Sequence, residues 1–137
     1  MKKHLLRISV FAVIAAAAAH AQNFTRVQAN VPFDFVVDGQ TLQAGQYTVG
    51  QGKVGGVVVI EATDRKGHSA AIGVPMPSAA GPSSDTKLVF RCYGNACFLS
   101  EVWGIGEYGR ELPKSSWERE VAAKRPVPAN TTLAASR

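Results

Sequence analysis

The chain has 137 residues, of which 46% are hydrophobic and 18% are charged, and its formal net charge is +5 at pH 7. This length suits one domain and is too short for two well-packed cores. Basic residues are mixed with acidic ones, as where Arg65 and Lys66 follow Asp64, so the sequence predicts no basic face for nucleic acid. The composition favours a single domain with a mixed-charge surface.

The first 21 residues have the features of a secretory signal peptide. Lys2, Lys3 and Arg7 are followed by an apolar run over 8–19 and a small-x-small cleavage site that ends at Ala21. The run is shorter than the about 20 apolar residues of a membrane helix, so we expect cleavage and no membrane span afterwards. Cleavage removes three of the fifteen basic residues and no acidic one, which leaves about +2. The sequence thus predicts an exported protein, periplasmic or extracellular.

Residues 22–125 carry the patterns of short β-strands. The alternation from Val31 to Val37 predicts one strand with a buried face. Because proline donates no ladder hydrogen bond, Pro32 predicts that this strand lies at a sheet edge or begins there. Asp38-Gly39 predicts a turn. Further strands are expected near 40–42, 47–49, 57–60 and 69–74, followed by an irregular connection over 75–84.

The next hairpin carries both cysteines of the chain. Gly94-Asn95 suits a two-residue type II′ turn, which places Cys92 opposite Cys97 in a non-hydrogen-bonded pair. Such a pair is close enough for a disulfide, and oxidising compartments let disulfides persist. A redox-active pair is the alternative, but catalytic dithiols favour Cys-x-x-Cys spacing. We expect a structural disulfide.

The last element is a short helix. Ser115 with Glu118 three residues later matches a capping box and predicts a helix over 116–124, with Trp117 and Val121 forming the apolar stripe. Prolines 126 and 128 end it, and 126–137 is predicted to be a disordered tail. The predicted fold class is all-β: a small β-sandwich or open barrel of about seven short antiparallel strands with a short C-terminal helix, in a single domain over 22–125.

Four motifs resemble a family of uncharacterised small exported β-rich proteins of soil bacteria. They are V-P-F-x-F at 31–35, L-x-A-G-x-Y-x-V at 42–49, F-L-S-E-V-W at 98–103 and G-R-E-L-P at 109–113. The resemblance covers most of the chain after the signal peptide and implies an exported β-rich fold. It transfers no functional residue to this sequence.

Three aromatic residues near the C-terminus are the candidate binding surface. Trp103, Tyr108 and Trp117 could line a groove for a sugar or a peptide, because flat aromatic rings stack on such ligands. Packing in the core is the commoner role of such residues. The glycine-rich stretch 104–109 beside Trp103 marks where a contact surface is expected.

Two polar residues are weaker candidates. His68 is the only histidine outside the signal peptide, so a catalytic triad or a histidine-bearing metal site would have to use it. Glu101 shares the predicted core face with Leu99 and Trp103. A carboxylate there marks a site, unless a bulge turns it away or Arg91 or Arg110 neutralises it. We assign no catalytic residue, metal site or cofactor from the sequence.

Three functions are carried forward. The first is a non-catalytic exported module that binds a cell-envelope component, a polysaccharide or a partner protein. The second is a structural subunit that assembles by strand pairing, through the Pro32 edge strand or a terminal segment. The third is a small extracytoplasmic hydrolase, which would need His68 or Glu101 in a pocket with a partner residue.

Overall fold

The fold is known from a computed structural model that describes residues 26–52, 56–64, 68–72, 74–75, 83–104, 109–125 and 127–136, with only the backbone described for 68–72 and 74–75. The predicted signal peptide lies outside these residues, as does most of the predicted irregular connection. The described part is mostly β, with two sheets and one short helix. Its strands are β1 Val27–Val31, β2 Phe35–Val37, β3 Gln40–Leu42, β4 Gly45–Gln51, β5 Val57–Ala62, β6 His68–Ile72, β7 Val74–Pro75, β8 Lys87–Tyr93, β9 Ala96–Trp103, β10 Arg110–Glu111 and β11 Ala129–Ala134; helix α1 is Ser116–Lys124.

The two sheets confirm the predicted fold class and exclude a closed barrel. The first sheet has the order β1-β4-β5-β6, and the second has the order β11-β8-β9-β10-β7, with β2 joined to β9 and β3 joined to β2. The described strands are more numerous than the seven expected, partly because β7 and β10 are only two residues long. One pairing is parallel, between β2 and β9, whereas only antiparallel pairs were expected.

The core lies between the two sheets. Alternate residues of β1, β4 and β5 from the first sheet pack against β2, β8 and β9 of the second. Aromatic rings meet edge to face at its centre, with the Phe35 centroid 5.0 Å from that of Tyr47 and 5.4 Å from that of Phe90. Edge-to-face contact is a favoured aromatic geometry, so the core is both apolar and geometrically specific.

The single strand predicted from Val31 to Val37 is wrong. Strand β1 ends at Val31, the chain leaves the ladder over 32–34, and β2 continues in the other sheet. The alternation survives because both sheets face the same core, so Val31, Phe35 and Val37 are all buried. Pro32 lacks the N–H that a continuing ladder would use, which explains why the chain changes sheets there.

The turn after β2 is a tight hairpin, as predicted. Asp38 and Gly39 have φ of 48° and 78°, and Val37 pairs with Gln40 across them. Two successive positive φ values define a type I′ turn, for which Asp-Gly is a preferred sequence. The turn therefore holds Asp38 at the exposed end of β2.

The cysteine hairpin is confirmed. Cys92 and Cys97 are paired across β8 and β9 and form a disulfide, with Cα atoms 4.0 Å apart. Gly94 alone in the turn has a positive φ, of 63°, as a type II′ turn requires. The guanidinium of Arg125 lies against Gly94, but it is the end of a flexible exposed side chain and could move aside, so the positive φ is the reason that glycine is favoured there.

A β-bulge at Ser100 changes which residues of β9 face the core. Phe90 pairs with Leu99, but Val89 pairs with Glu101, so Ser100 has no partner on β8. Its hydroxyl donates to the Val89 carbonyl at 3.0 Å, which satisfies the buried group. An extra residue reverses the alternation beyond it. Glu101 therefore does not share the core face with Leu99 that plain alternation predicts, and the bulge considered as the alternative for this residue is the one found.

Helix α1 has the predicted bounds and N-cap residue, but only half of the predicted capping box forms, because the Glu118 carboxylate accepts hydrogen bonds from Arg91 and Tyr93 instead. The Ser115 side chain accepts a hydrogen bond from the Glu118 N–H at 3.2 Å, which satisfies one of the free donors of the first turn. The helix covers the outer face of the second sheet, where Val121 and Ala122 pack on the buried cluster of Val36, Tyr93 and Phe98. The fold is thus two sheets with one helix outside.

The predicted disordered tail is wrong for most of its length, because residues 129–134 form β11. This strand pairs with β8 from Ala129 opposite Cys92 to Ala134 opposite Lys87. Thr131 and Leu133 turn inward and are partly buried, while the residues between them are exposed. This short alternation was the signal for a strand, and the free edge of β8 gives it a place to pair.

Candidate functional site

A buried ion pair joins helix α1 to the sheet beneath it. Glu118 is only 2% exposed, and its two carboxylate oxygens accept hydrogen bonds from Arg91 Nε at 2.6 Å and Arg91 Nη2 at 3.1 Å. Tyr93 Oη donates to the same carboxylate at 3.2 Å, and Arg91 Nη2 also donates to the Leu112 carbonyl at 3.2 Å. The bidentate geometry is the strongest form of such a pair. The face of helix α1 that packs on the sheet therefore carries a charged residue, Glu118, which is paired with Arg91.

The charge of Arg91 is secured by this contact. Burial alone would lower the pKa of Arg91, but the hydrogen bonds and negative charge of Glu118 outweigh it and raise the pKa above its ordinary value. A group with a raised pKa keeps its proton at pH values below that pKa and loses it only as pH rises through the raised value. Arg91 is therefore a cation under physiological conditions.

Next to this pair lies a cleft of about 260 Å³ between the β2–β3 turn, β9 and the start of helix α1. Its lining mixes buried apolar side chains, among them Val36, Phe98 and Leu99, with the buried Glu118, and its exposed residues include one acidic and one basic side chain, Asp38 and Lys114. The lining residues are Val36, Asp38, Phe98, Leu99, Leu112, Pro113, Lys114, Ser115 and Glu118. The cleft can therefore hold an apolar group that is flanked by charges of both signs.

Trp117 stands beside this cleft. It is 41% exposed, and its ring meets Phe98 of the cleft lining edge to face at 5.6 Å between centroids. The contact holds an indole ring at the surface, since Phe98 is itself buried against Tyr93 at 5.8 Å. Of the predicted binding aromatics, Trp117 is therefore one whose ring is exposed and is also held in place by a contact with a buried ring.

Trp103 is engaged by its own neighbours. Its Nε1–H donates to Glu101 Oε2 at 2.8 Å, and the Lys87 ammonium lies 5.4 Å from the ring centroid. Gly109 packs so closely that a Cβ there would lie 2.5–2.7 Å from three ring atoms. A stacking ligand would have to displace these contacts. Trp103 therefore belongs to a packed surface cluster with Glu101 and Lys87. In this cluster, Glu101 accepts a hydrogen bond from the indole N–H.

The remaining candidates are placed only in part. His68 begins β6, opposite Glu61 of β5, and its side chain lies outside the described residues, as does the whole of Tyr108. Within the described ranges, no three His, Cys, Asp or Glu side chains form a metal-binding group. No helix in those ranges is long and apolar enough to span a membrane.

The sequence pattern missed the pairing of Arg91 with Glu118. Arg91 was considered as a partner of Glu101, and Glu118 was interpreted as part of a cap. A signal existed, because Glu118 lies three residues before Val121 and four before Ala122 and so shares their helix face. A charge on the docking face of a helix predicts a buried partner.

Comparisons of the chain with family models, with curated proteins and with solved structures each find no match. The resemblance to small exported β-rich proteins of soil bacteria stays a prediction from its motifs. The functional argument therefore starts from the geometry of the site.

Proposed function

We propose that this protein is an exported, non-catalytic β-sandwich module that binds a partner protein of the cell envelope through the cleft beside helix α1. The observation that carries the proposal is the cleft itself. It combines apolar side chains around Phe98 with the opposite charges of the exposed Asp38 and Lys114. Apolar anchor side chains surrounded by charged contacts are typical of protein interfaces.

The size of the cleft favours a protein over a polysaccharide. Sites for whole small-molecule ligands start at about 300 Å³, whereas this cleft holds about 260 Å³. That room suits one inserted side chain. A polysaccharide would rather stack on a flat aromatic ring. The contacts of Trp103 with Gly109, Lys87 and Glu101 occupy that ring, which leaves the exposed Trp117 as the described tryptophan that is open to stacking.

The wall of the cleft is rigid, which supports a preformed site. The Arg91–Glu118 pair fixes the first turn of helix α1 against the sheet. Trp117 on that turn extends the apolar surface past the cleft. A preformed site loses little conformational entropy on binding, so even a small anchor can contribute affinity.

Export is part of the same proposal. It rests on the signal-like residues 1–21 and is supported by the disulfide between Cys92 and Cys97, since disulfides persist in oxidising compartments. Measuring the mass of the protein in extracytoplasmic and cytoplasmic fractions tests export. A chain in the extracytoplasmic fraction that begins at Gln22 would support it, and an uncleaved chain found in the cytoplasmic fraction would contradict it.

The binding test is a selection of short random peptides on the purified mature chain, from Gln22 to Arg137. Selected peptides should share one apolar residue flanked by charges, and their affinity should fall about three- to ten-fold for Asp38→Asn and for Lys114→Gln. Asparagine tolerates the positive φ at position 38, so that variant removes the charge and keeps the turn.

Lys124→Gln, at the exposed far end of the same helix, is the matched control and should leave affinity unchanged. Peptide binding that is unchanged in both Asp38→Asn and Lys114→Gln would contradict the proposed site. So would a glycan array on which the mature chain retains one saccharide equally well with or without these two charges.

A further inference from the structure

The C-terminal segment joins the edges of both sheets. Strand β11 pairs with β8 over six residues in the second sheet. Just beyond it, Ser136 exchanges two backbone hydrogen bonds with Gln28 of β1 in the first sheet, at 2.7 and 2.9 Å, and the Ala135 N–H donates to the Thr86 carbonyl at 3.0 Å. The segment 129–136 therefore fills a slot between the edge of β8 and the edge of β1.

The segment is held in this slot mainly by backbone hydrogen bonds, and it buries little side-chain surface. Leu133 is its one large apolar side chain, and it packs only at the margin of the core together with Ala135. Thr131 is partly buried beside Cys92, and the alternate residues Asn130 and Thr132 are exposed. Main-chain hydrogen bonds of this kind can be made by any strand that arrives in the same register.

The far end of the slot is loosely filled. Thr86 is 6% exposed, and its buried hydroxyl oxygen has no hydrogen-bond partner in the described part of the chain. Beside it is a broad groove of about 680 Å³, which the start of β8 and the end of the C-terminal segment line together. An unpaired buried hydroxyl costs stability, so the end of β11 is not a closely packed part of the domain.

The connection that precedes β11 favours an extended course. Four residues separate the end of helix α1 at Lys124 from the start of β11 at Ala129. Arg125 and Val127 each precede a proline, which biases both towards extended backbone, and Val127 is 86% exposed. Because Val127 is exposed, extending this connection away from the domain would break no buried apolar contact of that residue.

We propose that β11 is an exchangeable strand and that it also seats in the same slot of a second copy of this chain, which gives a symmetric strand-swapped dimer. The occupant follows from the fit, because a second copy carries the strand whose length, register and side chains the slot already accepts. Each contact of the single chain is reproduced in the dimer, so its population rises with protein concentration. The inference goes beyond the proposed function, since the cleft beside helix α1 contains no residue of β11.

The test mixes two variants that each add one free cysteine to the native disulfide, Val89→Cys and Thr132→Cys, at positions that are partners in the β8–β11 register. Neither variant alone can cross-link these positions within one chain. After brief exposure to mild urea and return to buffer, a short thiol-specific cross-linker should join the two variants in a covalent heterodimer. The control mixture pairs Val89→Cys with Glu120→Cys, on the exposed surface of helix α1, and should give only a background of collisions.

A second measurement uses the unmodified mature chain, so its result does not depend on whether a cysteine variant folds. Sedimentation should show a dimer whose fraction grows with concentration. A third measurement lengthens the connection between helix α1 and β11 with a flexible Gly/Ser insert after Val127, which should lower the dimer fraction about five-fold or more, because a longer connection lets β11 reach its own slot easily. A strictly monomeric mass at the highest soluble concentration overturns the proposal. Equal cross-linking in both mixtures overturns it as well.

Discussion

Breaking the Arg91–Glu118 pair should destabilise the domain asymmetrically. In Arg91→Met the Glu118 carboxylate stays buried without its cation, whereas in Glu118→Gln the arginine keeps some access to water, since the two side chains are 14% and 3% exposed. Removing one partner of a buried pair costs about 3–5 kcal/mol. We therefore expect about 4 kcal/mol for Arg91→Met and about 2 kcal/mol for Glu118→Gln, which retains size and one acceptor.

A double-mutant cycle of Arg91→Met, Glu118→Met and the variant with both changes measures the coupling between the two side chains. Replacing both charges by apolar groups of similar size is often nearly neutral, so the double variant should be within about 1 kcal/mol of the wild type. It should thus be far more stable than the sum of these two single methionine changes would give. Glu120→Gln, an exposed position on the same helix, is the control and should not shift the urea midpoint.

Urea unfolding followed by tryptophan fluorescence and far-ultraviolet circular dichroism measures these differences, because Trp117 lies directly beside Glu118. The reasoning is refuted if Glu118→Gln costs as much as Arg91→Met. It is equally refuted if the coupling energy from the double-mutant cycle is below about 1 kcal/mol, which would be the value of an exposed pair.

Three further changes test other parts of the structure by the same unfolding assay. Replacing Cys92 and Cys97 together by serine should cost about 2 kcal/mol, the entropy of a six-residue loop, and adding reductant to the wild type should reproduce the loss. Gly109→Ala should destabilise by about 1–3 kcal/mol and change the emission of Trp103, because its Cβ would overlap the indole ring; an unchanged spectrum would contradict that contact. Thr86→Val should stabilise by about 1 kcal/mol, since it removes the unpaired buried hydroxyl, and a loss of stability would show that the hydroxyl has a partner.

Local elements could be predicted from the sequence because their causes lie within a few residues. The cap at Ser115 sets the start of helix α1, and Gly94-Asn95 sets the turn that brings the two cysteines together. Turn chemistry and capping act between neighbouring positions, and the chain outside them hardly changes the result.

The candidate site could be predicted only in part. Trp117 was identified as a surface aromatic and is one, but its neighbours in the cleft come from segments far apart in sequence. Asp38 reaches the cleft because β2 pairs with β9 in parallel, a contact that no local pattern near Asp38 encodes. Trp103 was placed on the wrong face because the bulge at Ser100 shifts the alternation by one residue.

Non-local pairing decided the rest. The sequence by itself determined an all-β domain, its cysteine hairpin and its C-terminal helix, through alternation, turn residues and a cap. Only the tertiary structure decided that the chain changes sheets after Val31, that the final strand seats against β8, and that Glu118 finds Arg91 across 27 residues. The reason is physical: a strand edge or a buried charge is satisfied by whichever partner the completed fold brings near, and that partner is fixed by the packing of the whole domain.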